Sequence, residues 1–201
     1  TPDLHDYHLL NARQKLEYER LAGLFTDSDP TRQYQYDLDY ARIYNNIQSG
    51  VETDWLAKPL RNAFSQSHSL SIDGGDERAK YNLGVRYGKD SGVMKGSDRT
   101  RLSTNFRLSY NVSGKFFVSN SSTITSVTNN ESPYGDFSDW VKMNPYENPY
   151  DADGKLRSSL YHDISNPLYD ASLGSYNKTN TLDFLNTTSL QLWFGDKVRL
   201  D

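Results

Sequence analysis

From residue 79 to residue 87 the chain alternates strictly. Ala79, Tyr81, Leu83, Val85 and Tyr87 hold the odd positions, while Lys80, Asn82, Gly84 and Arg86 stand between them. A period of two is the mark of a strand with one apolar and one polar face. The same period begins near His68, with Leu70 and Ile72, and returns over 102–112 at Leu102, Phe106, Leu108, Tyr110 and Val112. It blurs over 116–127, where Ser and Thr are frequent, and resumes at Leu182, Phe184, Leu190, Leu192 and Phe194. Short turns are expected at 75–78, at 113–115 and at Gly195-Asp196-Lys197, and longer links after residues 88 and 128. No charge falls on the apolar parity of 79–87 or 102–112. A packed core and a lipid face would both exclude charge there.

The first third follows a helical period instead. Residues 4–25 read as a helix, with Asn11 and Gln14 placed for a capping box. Leu16, Leu21 and Leu24 fall near one face. The pairs Arg13/Glu17 and Lys15/Glu19 are spaced four apart, and Gly23 suits a helix end. A second helix is expected from Asp29-Pro30 toward Gly50, with Tyr36, Tyr40 and Tyr44 at successive turns. Residues 129–180 carry four prolines and many aromatic rings but no sustained period, so they read as a long loop.

Composition narrows the class. Only 35% of the 201 residues are apolar, few for a soluble sandwich of this length. The net charge of -4, with basic and acidic residues scattered, leaves no footprint for nucleic acid. There is no cysteine, and hence no disulfide framework or thiolate metal site. No apolar run approaches the roughly 20 residues of a membrane helix. A tilted membrane strand, however, needs only about 9–11 residues, and the alternating runs reach that length. Short turns at one end and long links at the other are the rhythm of an up-and-down membrane barrel.

Several segments together resemble the SusC/RagA family of TonB-dependent outer-membrane transporters of Bacteroidetes. They are "DYHLLNARQKLEYERLAGLF" (6–25), "TDWLAKPLRNAFSQSHSLSIDGGDERAKYNLGVRY" (53–87), "GVMKGSDRTRLSTNFRLSYN" (92–111), "SPYGDFSDWVKMNPYENPYDADGKL" (132–156) and "NPLYDASLGSYNKTN" (166–180). The resemblance implies a mainly β fold, part of a transmembrane up-and-down antiparallel barrel of about 22 strands, with an N-terminal helical outer loop. It divides the chain into a helical extracellular segment (1–66), barrel strands (67–128), a long extracellular loop (129–181) and further strands (182–201). The plug domain and the TonB box of that family have no counterpart here, so the chain is expected to be a piece of such a protein, and its lack of a signal sequence to reflect truncation.

The resemblance further implies a cell outer-membrane location and import of glycans, with peptides as the second choice. Its expected partners are a SusD-like surface lipoprotein, TonB through the missing N-terminal region, the oligosaccharide or peptide substrate, and outer-membrane lipid. No enzyme activity, cofactor or metal is expected. "DADG" (151–154) lacks the twelfth-position Glu of a calcium loop and reads as a polar turn. No Ser stands in a nucleophile elbow, and His5 and His8 lack the H-E-x-x-H pattern. The long loop offers better candidates. Tyr134, Phe137, Trp140, Tyr146 and Tyr150 are interleaved with Asp136, Asp139, Asn144 and Asn148. Flat rings beside amides and carboxylates suit sugar or peptide contact, or contact with a lid partner. Packing of the loop on itself is the alternative. Trp193 and Phe194 are candidates for an aromatic girdle at the inner interface. A soluble secreted carbohydrate-binding or adhesin domain is the alternative reading of the whole.

Overall fold

A computed structural model describes residues 2–194 and 198–200, and the turn expected at 195–197 lies outside them. The chain forms two units, one helical and rich in loops (1–62, 93–96 and 132–176), the other a sheet (63–92, 97–131 and 177–201).

The helical unit opens with α1 (Ala12–Leu21) and α2 (Pro30–Gln48). The helix expected from residue 4 starts later because the capping box is where the helical hydrogen bonds begin. Asn11 Oδ1 accepts from Gln14 N at 2.8 Å, and Gln14 Oε1 accepts from Asn11 N at 3.1 Å. Beyond Leu21 the chain turns through Gly23 at φ +80, the left-handed region that glycine enters without strain. Lys15 pairs with Glu19 at 3.2 Å as the spacing predicts. Glu17 pairs with Arg20 rather than Arg13, and with Glu on the N-terminal side that is the favoured orientation. Asp29 caps α2 by accepting from Thr31 N and Arg32 N, with Pro30 at the first position.

Two small cores hold this unit. Ala12, Leu16 and Ile43 pack with Tyr146, flanked by Phe25, Tyr40 and Ile47. Trp55, Trp140 and Leu160 form the other, flanked by Tyr134, Met143 and Leu168. The long loop is therefore packed and partly helical, with α3 (Phe137–Val141) and α4 (Pro167–Ser172). Asn166 is its pin. Completely buried, its amide donates to Pro149 O and Arg157 O and its carbonyl accepts from Leu168 N.

The sheet is an open antiparallel meander in the order β1 (Ser65–Gly75), β2 (Ala79–Ser91), β3 (Asp98–Ser113), β4 (Phe116–Asn130), β5 (Lys178–Phe194) and β6 (Val198–Leu200). The five long strands have 11 to 17 residues, longer than the apolar runs that reveal them. Their extra length is polar and is held by ladder hydrogen bonds, which carry no hydrophobic signal. The β1–β2 turn is tight. Asp76 N donates to Ala79 O at 2.7 Å, and a Cβ on Gly75 would meet that same oxygen at 2.0 Å. Asp76 Oδ1 accepts from the amides of Arg78 and Ala79, which holds its carboxyl below the usual range.

Register aligns the apolar positions into one band. Leu70 faces Val85 and Ile72 faces Leu83; Leu83 faces Phe106, Tyr81 faces Leu108 and Tyr87 faces Leu102. Tyr110 faces Val118, which faces Leu190, and Ile124 faces Phe184. None of these apolar side chains is buried. All the buried hydrophobic side chains among the described residues belong to the helical unit. Thr104 and Ser126 interrupt the band singly, and a bonded polar cluster interrupts it further along. Asn120, Ser122, Asn186 and Thr188 share its parity and bond to one another, with Asn120 Nδ2 to Thr188 Oγ1 at 2.8 Å and Asn186 Nδ2 to Ser122 Oγ at 2.6 Å. Phe194 shares the apolar parity, whereas Trp193 has the opposite one, so the pair cannot both lie in one girdle on that face.

Candidate functional site

The helical unit encloses a cavity of about 480 Å³. Its walls come from residues 8–11 ahead of α1, the 52–56 segment, and α3 with the residues that follow it. Three hydrogen bonds strap the second wall to the third. Thr53 N donates to Pro145 O at 2.8 Å, Thr53 Oγ1 donates to Glu147 O at 2.8 Å, and Trp55 Nε1 donates to Asn144 O at 2.8 Å.

The lining is apolar with a charged rim. Trp55, Trp140, Leu56 and Met143 supply the apolar surface, and Lys15, Glu52, Asp54 and Lys142 the charges. Trp55 and Trp140 meet at 6.2 Å between ring centroids. Trp140 Nε1 donates to Tyr134 O at 2.8 Å, which removes the one polar atom of a side chain that is 1% exposed. Glu52 receives Ala12 N at 3.1 Å, fixing the first wall to the second. These groups can hold a ligand by apolar contact and orient it by hydrogen bonds at the rim.

Of the five rings singled out from the sequence, Trp140 lines this cavity and Tyr134 packs behind it. Lys95 Nζ stands 5.8 Å above the Tyr134 ring. Phe137 is half-buried, edge-on to Tyr7 at 5.7 Å. Tyr150 is exposed, in a short antiparallel bridge with Leu156. Tyr146 lies in the other core, 5% exposed, where its hydroxyl donates to Glu19 Oε2 at 3.0 Å. Burial, reinforced by the Glu19 charge, pushes the Tyr146 phenol well above its ordinary range. Tyr146 and Trp140 thus belong to different cores, although they are six residues apart.

The sequence reading passed over Trp55, which completes the cavity, and a polar cluster around Asp39. Tyr161 donates to Asp39, and His162 Nε2 lies 3.3 Å from the second oxygen of that carboxylate. The Arg42 guanidinium covers the Tyr161 ring at 3.5 Å and pairs with Glu147 at 3.3 Å. The hydrogen bond to Asp39 raises the Tyr161 phenol, because it stabilises the protonated form. His162 and Asp163 beside this cluster adopt positive φ, 56 and 55. No local period marks residues that meet over 122 positions of chain. The turn at 151–154 closes on itself, with Asp151 Oδ1 accepting from the amides of Asp153 and Lys155.

No protein-family model matches the chain, and no curated protein matches it. Solved structures do. A chain of the RagAB peptide transporter superposes with a TM-score of 0.64 at 16% identity, over 92% of this chain and 24% of that one. A chain of the RagAB peptide importer in its closed-closed state gives 0.62 at 15% identity, over 94% and 24%. The present chain spans about a quarter of the length of those chains, and at such identity the likeness is one of fold: an open antiparallel meander with helical connections, as in part of the RagAB transporter chains.

Proposed function

We propose that this chain forms part of the barrel wall of a TonB-dependent outer-membrane importer of the SusC/RagA kind. The observation that carries the reading is the uncovered apolar band. From Leu102 to Val112 the band runs roughly 33 Å along the strand. A tilt of about 45° reduces that to about 24 Å, close to the ≈25 Å apolar belt of an outer-membrane barrel. The band is free of charge, and it crosses all five long strands in register. Burial of that band in lipid replaces the core that the sheet lacks.

On this reading the sheet continues into a closed barrel, of the 22-stranded class by family resemblance. The apolar parity meets lipid, and the polar parity faces the lumen or a plug. Phe194, Tyr81 and Tyr110, near the short turns, serve the inner interface. The helical unit belongs to the outer vestibule, where its cavity and the exposed Tyr150 are available to substrate or to a SusD-like lipoprotein. The cargo is a glycan, with peptides, the cargo named for the RagAB transporter, as second choice. TonB acts elsewhere on the transporter, and no residue of this chain makes or breaks a covalent bond. Fractionation of cells making the natural protein tests the reading. Recovery in the outer-membrane fraction, released only by detergent, is expected; recovery as a detergent-free soluble protein overturns it.

A further inference from the structure

On the polar face of the sheet, Gly88 is the floor of a second cavity of about 280 Å³. Arg86 precedes it by two residues on β2, and Arg101 lies directly across from it on β3. Ser67 lies across from it on β1, and Ser65, Gln66 and Asp90 complete the lining. Diagonal neighbours on one face sit about 7–8 Å apart, which lets two long side chains converge over a residue without one. A Cβ at Gly88 would find only Gln66 O, at 4.0 Å, so the floor is open.

The two guanidiniums are unspent. Among the described residues neither makes an ion pair. Arg101 is aimed instead, its Nε donating to Ser103 Oγ at 3.2 Å, and Ser103 is tied to the buried Thr125 hydroxyl at 3.2 Å. That contact leaves the terminal nitrogens of both arginines for a planar, bidentate acceptor, the geometry at which Arg is better than Lys. No side chain in the lining is apolar. Two hydroxyls and one carboxylate around two arginines, with Gln66 bordering the site through its backbone, match a ligand that carries several hydroxyls and one anion.

We propose that Arg86 and Arg101, diagonal neighbours beside Gly88, bind the carboxylate of an acidic sugar, with Ser65, Ser67 and Asp90 meeting its hydroxyls. The proposal deepens the importer reading, since it places a uronate-selective station on the face assigned to the lumen. Arg99, two residues from Arg101 on the same face, stands directly across from Asp90 and adds to the positive charge of the site, whereas Lys80 and Arg107 lie about six residues away, roughly 20 Å along the strands, beyond the screening length at physiological salt.

Calorimetric titration of the full chain in detergent micelles tests it, using digalacturonic acid, neutral galactobiose and the dipeptide Glu-Glu. Digalacturonic acid should bind, and Arg86→Gln and Arg101→Gln should each weaken it about tenfold or more. Lys80→Gln should leave the affinity unchanged. Among the described residues Arg86 makes no hydrogen bond or ion pair and is exposed, so Arg86→Gln should fold as the parent does. Failure of digalacturonic acid to bind, or equal binding of galactobiose, overturns the site, and Glu-Glu binding as tightly overturns its assignment to sugar. Binding here combined with a detergent-free soluble protein would leave the site standing and defeat the importer reading instead.

Discussion

Leu83 on β2 lies directly opposite Phe106 on β3, and the two remain 36% and 39% exposed. Cross-strand pairs of this kind normally sit under a second layer, where full burial of each side chain is worth about 1.5–3 kcal/mol. Here the pair lies within a band whose apolar side chains are not buried among the described residues. On the importer reading, lipid supplies the apolar contact that the described residues do not give this band.

A charge placed there should therefore be costly in a bilayer. Leu83→Lys should lower the stability of the protein folded into lipid vesicles by about 2–4 kcal/mol, while Asn82→Lys, one residue away on the other face, should cost little. Urea unfolding in vesicles reads both. Equal costs would contradict the lipid assignment of Leu83.

Trp140 is 1% exposed in a core it shares with Trp55 and Leu160, and its removal opens a void beside them. Trp140→Ala should destabilise the helical unit by about 3–5 kcal/mol, measured by near-ultraviolet circular dichroism in denaturant. A loss within the range of a surface substitution would show that the loop is not packed around this ring.

Asn166→Ala removes a buried amide that donates to Pro149 O and Arg157 O and accepts from Leu168 N. Each buried group left without a partner costs about 1–3 kcal/mol. Amide exchange around Leu168 and Arg157 should accelerate in the variant, and unchanged protection there would count against the pin.

The Tyr146 phenol is raised in the folded state, first by burial and then by Glu19. A raised group contributes its full stabilisation below the unfolded value, about 10 for tyrosine, and loses it as pH climbs past that value. The helical unit should therefore weaken above about pH 10, and Tyr146→Phe should flatten that alkaline limb while costing some stability at neutral pH through the lost bond to Glu19. Denaturation midpoints of both proteins between pH 8 and 12 check the sign.

Features set by neighbours in sequence were legible without the structure. The Asn11–Gln14 box, the Asp29-Pro30 cap and the strand parity of 79–87 and 102–112 all depend on residues within a few positions of one another. The late start of α1 was written in the same box, although leucine spacing points to a longer helix. Over 119–123 the strand is built of Ser, Thr and Asn whose ladder bonds leave no hydrophobic trace, so its alternation was faint. The candidate site was the least legible. That Trp140 joins Trp55 while Tyr146 joins Leu16 depends on contacts across 85 to 130 residues, which no local period encodes. Likewise, the convergence of Arg86 and Arg101 is a matter of β2–β3 register, and register follows from where the turns and apolar runs fall along both strands together.

If the odd face of β2 meets lipid and its even face meets water, nitroxide labels placed singly at Leu83 and Asn82 in membrane-embedded protein will differ in their collisions with oxygen dissolved in the bilayer and with a water-soluble nickel chelate. The label at Leu83 should be reached by oxygen and shielded from nickel, and the label at Asn82 the reverse. A nickel-accessible Leu83 beside an oxygen-accessible Asn82 would overturn the lipid assignment.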